Sequence, residues 1–143
     1  MTRLANGILL TLVLLTAFTF SIASESKSEV IRKGGYTGVV FPAEKRAFRL
    51  TFHEKSIHYW TPSEADVQTA EKEIPGFLQT AGTKDARAMD ILKKLKTYKR
   101  QYAGIASKGE KWIYINFFCA KDYSEDHWTK HEVMVFDGGS CFF

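Results

Sequence analysis

Tyr98-Lys99-Arg100-Gln101-Tyr102-Ala103-Gly104-Ile105-Ala106-Ser107-Lys108-Gly109-Glu110-Lys111-Trp112-Ile113-Tyr114-Ile115-Asn116-Phe117-Phe118-Cys119 is the stretch that decides the fold. Two runs rich in aromatic and β-branched residues flank the polar, glycine-bearing Ser107-Lys108-Gly109-Glu110, so the stretch reads as a β-hairpin. In its second arm Ile113, Ile115, Phe117 and Cys119 alternate with Trp112, Tyr114, Asn116 and Phe118. Both faces are mostly apolar. That predicts a central strand covered on at least one side by helix.

Upstream the period changes. Thr61-Pro62-Ser63-Glu64 predicts a helix start, with Thr61 as cap, Pro62 in the first helical position and Glu64 completing a capping box. Val67, Ala70, Ile74, Phe77 and Leu78 then share one helical face. Pro75 lacks the amide that would bond back to Glu71, so a kink or break is expected there, with a short continuation through Leu78. Gly82 separates this from a second helix, started by Thr83 and Asp85, whose apolar stripe is Ala88, Ile91, Leu92 and Leu95. Phe48-Arg49-Leu50-Thr51-Phe52-His53 alternates cleanly and predicts a half-buried strand with Phe48, Leu50 and Phe52 inward. Glu54-Lys55-Ser56 is the turn to a short partner strand, Ile57 to Trp60. Beyond the hairpin, Ala120 to Lys130 reads as a polar loop and Glu132 to Phe136 as another two-sided strand. Asp137-Gly138-Gly139 turns the chain before Ser140 to Phe143. This order predicts an α+β fold: an antiparallel sheet with one or two helices packed on one face.

The chain has 143 residues, 45% apolar and 25% charged, which is one ordinary globular domain. Residues 1–23 have the layout of a cleavable secretory signal: Arg3, an uncharged apolar run from Ile8 to Phe20, and small residues at Ser21-Ile22-Ala23. The run is shorter than a membrane span and ends in Ser24, Glu25 and Lys27, so the mature chain is expected not to be an integral membrane protein. Residues 24–35 read as a flexible leader, and 36–143 as a single α+β domain. The expected location is therefore exported, periplasmic or extracellular. Removing 1–23 takes away one basic residue and leaves 19 basic against 16 acidic side chains. That excess is too small to indicate nucleic acid as a partner.

Export changes the meaning of the two cysteines, Cys119 and Cys141. One reading is a disulfide, worth about 3 kcal/mol in the chain-entropy model. The other is two buried thiols acting as small apolar residues. A simple hairpin register separates the pair, so a bridge requires a bend at Gly138-Gly139.

No motif indicates a cofactor or a metal. His127 and His131 stand four apart but lack a third ligand, and His53 and His58 lie elsewhere. Asp122 to Asp126 fails as a calcium loop, because His127 and Val133 occupy the positions of its glycine and bidentate glutamate. A GxSxG motif is absent, and both cysteines sit in apolar contexts that raise a thiol pKa. Glu71 and Glu73 fall on different helix faces, without a sign of burial. The strongest candidate surface is basic: Lys93, Lys94, Lys96, Lys99 and Arg100, flanked by Tyr98 and Tyr102. It reads either as a solvated helix end with a charge-protected edge strand, or as a patch for an acidic protein, a sugar or an anionic lipid surface.

Tyr59 to Val67, Tyr98 to Tyr102, Ile113 to Cys119 and Asp137 to Phe143 together resemble small exported bacterial proteins of uncharacterised function. The resemblance covers about Tyr59 to Phe143 and implies an exported globular domain, with no catalytic residues to carry over. The order of helix then antiparallel strands is similar to the cystatin-like architecture. Cystatin inhibitors carry Gln-x-Val-x-Gly in a hairpin loop, whereas Gln101-Tyr102-Ala103-Gly104 is one residue shorter and lacks the valine. The likeness is therefore one of topology, and without that motif it does not by itself imply protease inhibition. The function expected is a non-enzymatic exported binding or interaction domain. The alternative is a small secreted hydrolase-like enzyme with a sheet-lined pocket.

Overall fold

In the computed structural model Lys108 and Gly109 both take positive φ, 51° and 84°, the turn geometry whose twist matches two antiparallel strands. They join β4 (Lys99–Ser107) to β5 (Glu110–Phe118), paired from Lys99 opposite Phe118 to Ser107 opposite Glu110. The predicted hairpin is present. The structure describes residues 27–48, 56–119, 121 and 123–134. The expected signal segment 1–23, strand residues 49–53, Cys141 and the rest of the closing stretch 135–143 lie outside the described residues.

The centre of the sheet is β4, where β5 was expected. One edge of β4 carries β5. The other is shared end to end by β2 (Tyr36–Val40), parallel to it from Lys99 to Tyr102, and β3 (His58–Trp60), antiparallel to it from Gly104 to Ala106. β1 (Glu29–Lys33) pairs antiparallel with β2. The sheet is therefore mixed, not antiparallel throughout. A parallel pair joins segments distant in sequence and leaves no local turn signal to read. Residues 29–33 are likewise a strand and not a flexible leader, because Ile31 is buried against Val40, Val67 and Tyr102.

The architecture is α+β. The helix α1 (Glu64–Ala81) begins at Ser63, not Thr61. Ser63 is extended, at φ −75° and ψ 165°, and its hydroxyl accepts from the Asp66 amide while the Asp66 carboxylate accepts from the Ser63 amide at 2.8 Å. The capping box thus closes on Asp66 and not on Glu64. Thr61 does other work, accepting from the Ala43 amide at 2.9 Å. The helix also continues through Pro75 to Ala81. Ile74 and Leu78, on either side of the proline, are both buried in one cluster, and that packing outweighs the single missing hydrogen bond. α2 (Ala86–Lys93) is capped by Asp85, whose side chain accepts from the Arg87 amide at 2.9 Å. Ala88 and Ile91 are buried as its stripe predicts.

A third helix, α3 (Glu125–Lys130), replaces the expected polar loop. Ser124 caps it, and Trp128 is 2% exposed. α3 lies on the face opposite α1 and α2. Trp128 and Val133 pack with Ala103 and Phe118, whereas Ile74, Leu78 and Ile91 pack with Tyr98 and Phe117. Helices therefore cover both faces, where one was expected, and this is why β5 is apolar on both sides. Two further readings change. Glu132–Met134 is irregular and not strand, because side-chain amides rather than a ladder bond the Val133 backbone. Phe48 is buried in a turn at φ 60°, which no strand residue adopts. No helix among the described residues is long and apolar enough to cross a membrane.

Two glycines notch the sheet for aromatic rings. A Cβ on Gly104 would meet the Trp60 indole at 2.6 Å, and one on Gly38 would run into the Tyr102 ring. The cap placement is testable. Ser63→Ala should lower the unfolding free energy by about 1 kcal/mol in urea titration, and a larger loss in Thr61→Ala than in Ser63→Ala would put the cap back at Thr61.

Candidate functional site

The sequence-predicted basic patch does not survive as one surface. Strand alternation turns Tyr98, Arg100 and Tyr102 to the same face of β4, toward α1, and they are only 2%, 1% and 0% exposed. Lys93, Lys94 and Lys96 remain exposed at the end of α2 and just after it, Lys93 within 3.4 Å of Asp90. Lys99 is half-buried.

What the inward residues form is a buried polar cluster. Arg100 Nε donates to Glu71 Oε1 at 3.0 Å, and its Nη1 donates to the Tyr98 carbonyl at 2.7 Å. The Tyr102 hydroxyl donates to the same Glu71 oxygen at 2.7 Å. The guanidinium also stands over the Tyr36 and Phe117 rings, 5.7 and 5.5 Å from their centroids. Burial, then the neighbouring Glu71 charge, drives the Tyr102 phenol far above its ordinary pKa. It stays a neutral donor at any physiological pH. The cluster thus holds α1 on β4. Glu71, read from sequence as unburied, has a side chain only 8% exposed. The available signal was its place in the Val67, Glu71, Ile74, Leu78 stripe, at spacings of four, three and four.

Beside that stripe α1 presents a second flank, and it borders a groove. Asp66, Thr69, Ala70, Glu73 and Phe77 line one wall, and Lys111 to Ile115 with Phe117 of β5 form the floor and the other wall. Trp60 stands at one end, its Nε1 donating to the Ile105 carbonyl at 3.1 Å and its ring lying 5.1 Å from Lys111 Nζ. The cavity measures about 1020 Å³. From Asp66 to Phe77 the helix rises about 16 Å. Phe77 is 65% exposed along it, and Ile113 and Ile115 face it from β5, whereas Trp112 alternates to the other side of the strand. Phe77, expected on the buried face, was misplaced because it falls one helical position short of the core stripe at Leu78. The groove is a sheet-lined concavity, and sequence reasoning did not locate it.

Other candidates resolve into structure. Ser124, Glu125 and Asp126 open α3, with Glu125 paired to Arg32 and Asp126 to Lys130. The Tyr123 ring stacks on His127 at 5.5 Å, and His127 meets His131 in a tilted contact at 5.3 Å. Among the described residues no group of three or more His, Cys, Asp or Glu side chains is placed to hold a metal ion. Gln101 to Gly104 lies within β4, with Gln101 fully buried rather than in a loop. Cys119 packs against the Ile74 and Leu78 cluster. No protein-family model, curated protein or solved structure matches this chain.

The cluster makes a definite energetic prediction. Glu71→Leu should destabilise by about 3–5 kcal/mol, since it leaves the Arg100 guanidinium buried without its counter-charge. Combining it with Arg100→Met should recover much of that loss, a non-additivity read by a double-mutant cycle in urea. Simple additivity would mean that the two groups are not coupled.

Proposed function

We propose that the chain is an exported, non-enzymatic binding domain whose ligand site is the groove between α1 and β5. The ligand is an extended peptide segment bearing apolar or aromatic side chains. The observation that carries this reading is the exposure of Phe77, at 65%, along a concavity that Trp60, Ile113 and Ile115 also line. Aromatic rings left in water beside a groove cost free energy unless something covers them, and burying such anchors supplies most of the affinity of a peptide complex. The span from Asp66 to Phe77 matches about five residues of extended chain. Asp66 and Glu73 on the helical wall face Lys111 on the strand, so a bound peptide meets charges of opposite sign across its width.

The groove's chemistry favours binding over hydrolysis. Hydrogen bonds from the Ser63 hydroxyl and amide hold Asp66 below the ordinary carboxylate range, so it remains ionised and is not poised as a general acid. Phe77, Trp60, Ile113 and Ile115 supply contact area and no nucleophile. The test uses anilinonaphthalene sulfonate as a probe of the folded chain, followed by selection of displayed peptides. Phe77→Ala should weaken both kinds of binding about tenfold or more, and Trp112→Ala, on the opposite face of β5, should weaken neither. Unchanged affinity in Phe77→Ala would remove the groove from the function.

Export carries the disulfide with it. The described residues include no free cysteine. Our reading pairs Cys119 with Cys141 once the leader is removed in an oxidising compartment. Intact mass of the exported protein checks both steps together. The expected species begins at Ser24 and gains two hydrogens on reduction. A species retaining Met1, or one already carrying two free thiols, would overturn the corresponding step.

A further inference from the structure

α1 has a third side. Gln68, Glu71 and Lys72 project away from the groove into a smaller cleft of about 520 Å³, closed by the β1–β2 turn and by Leu95, Lys96 and Arg100. Four cations reach it, Lys33, Lys72, Lys96 and Arg100, against one carboxylate, Glu71. Two of these charges are committed. Lys33 sits 2.5 Å from Glu64, and Arg100 answers Glu71. Lys72 and Lys96 are exposed and make no ion pair among the described residues. The cleft therefore keeps a positive surplus, over a floor of buried guanidinium.

A second observation is independent of charge. The Tyr36 hydroxyl, at the edge of the β1–β2 turn, is buried without a hydrogen-bond partner. A desolvated hydroxyl left unpaired is costly, and such groups in folded proteins mark a missing partner. The ring is fixed, because it packs on the Ile31, Val40, Val67 and Tyr102 cluster and lies under Arg100. Burial, and then the nearby Glu71 charge, raises the phenol above its ordinary pKa, so the group remains a neutral donor and seeks an acceptor. At the mouth, Gly34 and Gly35 carry no side chains, and a Cβ on either would meet nothing. The cleft is open to a ligand there.

We propose that this cleft is a binding site for a phosphate group, held by Lys72 and Lys96 above the buried Arg100 guanidinium, with the Tyr36 hydroxyl donating to one of its oxygens. A multiply charged oxyanion with several acceptor oxygens satisfies the surplus lysines and the orphan donor together, which a monovalent ion cannot do. Lys96 and Arg100 came from the sequence-predicted basic cluster. Tyr36 and Lys72 joined them only through the fold. The proposal is independent of the groove, since α1 offers each site a different flank, and either can fail alone.

The experiment titrates the mature chain with inorganic phosphate at constant ionic strength, following backbone amides by nitrogen-edited NMR. Shifts at Gly34, Gly35, Tyr36, Lys72 and Lys96 should saturate with one common dissociation constant. Tyr36→Phe removes only the hydroxyl, and Lys72→Gln with Lys96→Gln removes only exposed charge. Each should weaken phosphate about tenfold, as loss of a hydrogen bond to a charged group implies. Lys108→Gln, at the far hairpin turn, should leave it unchanged. A second arm adds vesicles of phosphatidylglycerol. Displacement of phosphate by vesicles supports the site with a lipid headgroup as the source, and retention of phosphate supports it with a free phosphorylated molecule. Shifts that fail to saturate, or that weaken equally in Lys108→Gln, would reduce the effect to general screening and overturn the proposal.

Discussion

Everything in this fold is fastened to the middle of β4, where two consecutive strongly polar side chains, Arg100 and Gln101, are 1% and 0% exposed. Strand alternation sends them to opposite faces, and neither can be buried without partners. Each therefore dictates what packs on its side. Arg100 requires a carboxylate, which only a helix placing Glu71 above it supplies. Gln101 donates through Nε2 to the Trp128 and His131 carbonyls, both at 2.7 Å, and accepts through Oε1 from Asn116 and the Val133 amide. Its amide is fully used, and it fixes the end of α3 and the segment after it. The two helical layers are placed by polar constraints as much as by apolar ones.

That arrangement explains a choice that stability alone does not. A buried ion pair gains little over an apolar pair of equal volume, because desolvation offsets the attraction. What the pair adds here is register. If α1 slid by one turn, Glu71 would lose both Arg100 and Tyr102. The glycines at 38 and 104 serve the same end by admitting one ring each at a single place on the sheet.

The sequence made legible whatever was local. The β4–β5 hairpin was readable from its turn and alternation, and α2 from its cap and stripe. α1 was readable as a helix, although Ser63 with Asp66 outcompeted Thr61 for the cap and tertiary packing carried it through Pro75. What stayed hidden was non-local. The parallel pairing of β2 with β4 leaves no signature in either segment. Trp128 looked like a loop residue because α3 is only six residues long, too short to show a period. The basic cluster misled for a plain reason. A run of charges counts side chains along the chain, whereas the strand sends alternate ones into the core, so Arg100 left the surface and Lys72 took its place beside Lys96.

The same register that binds α1 also creates its two open flanks. A helix held over a sheet by one stripe presents neighbouring stripes to either side, and each meets different surroundings. Toward β5 the stripe ending in Phe77 faces Ile113 and Ile115 of the strand, with Trp60 at one end, which makes a broad apolar groove. Toward the β1–β2 turn the stripe of Gln68 and Lys72 faces Tyr36 and Lys96, which makes a narrower basic cleft. Glu71 lies between them, and its position sets the rotation of the helix about its own axis. A turn of one residue, about 100°, would carry Phe77 away from the groove floor and Lys72 away from Lys96 at once. The buried pair is therefore the element on which both surfaces depend, although it belongs to neither ligand.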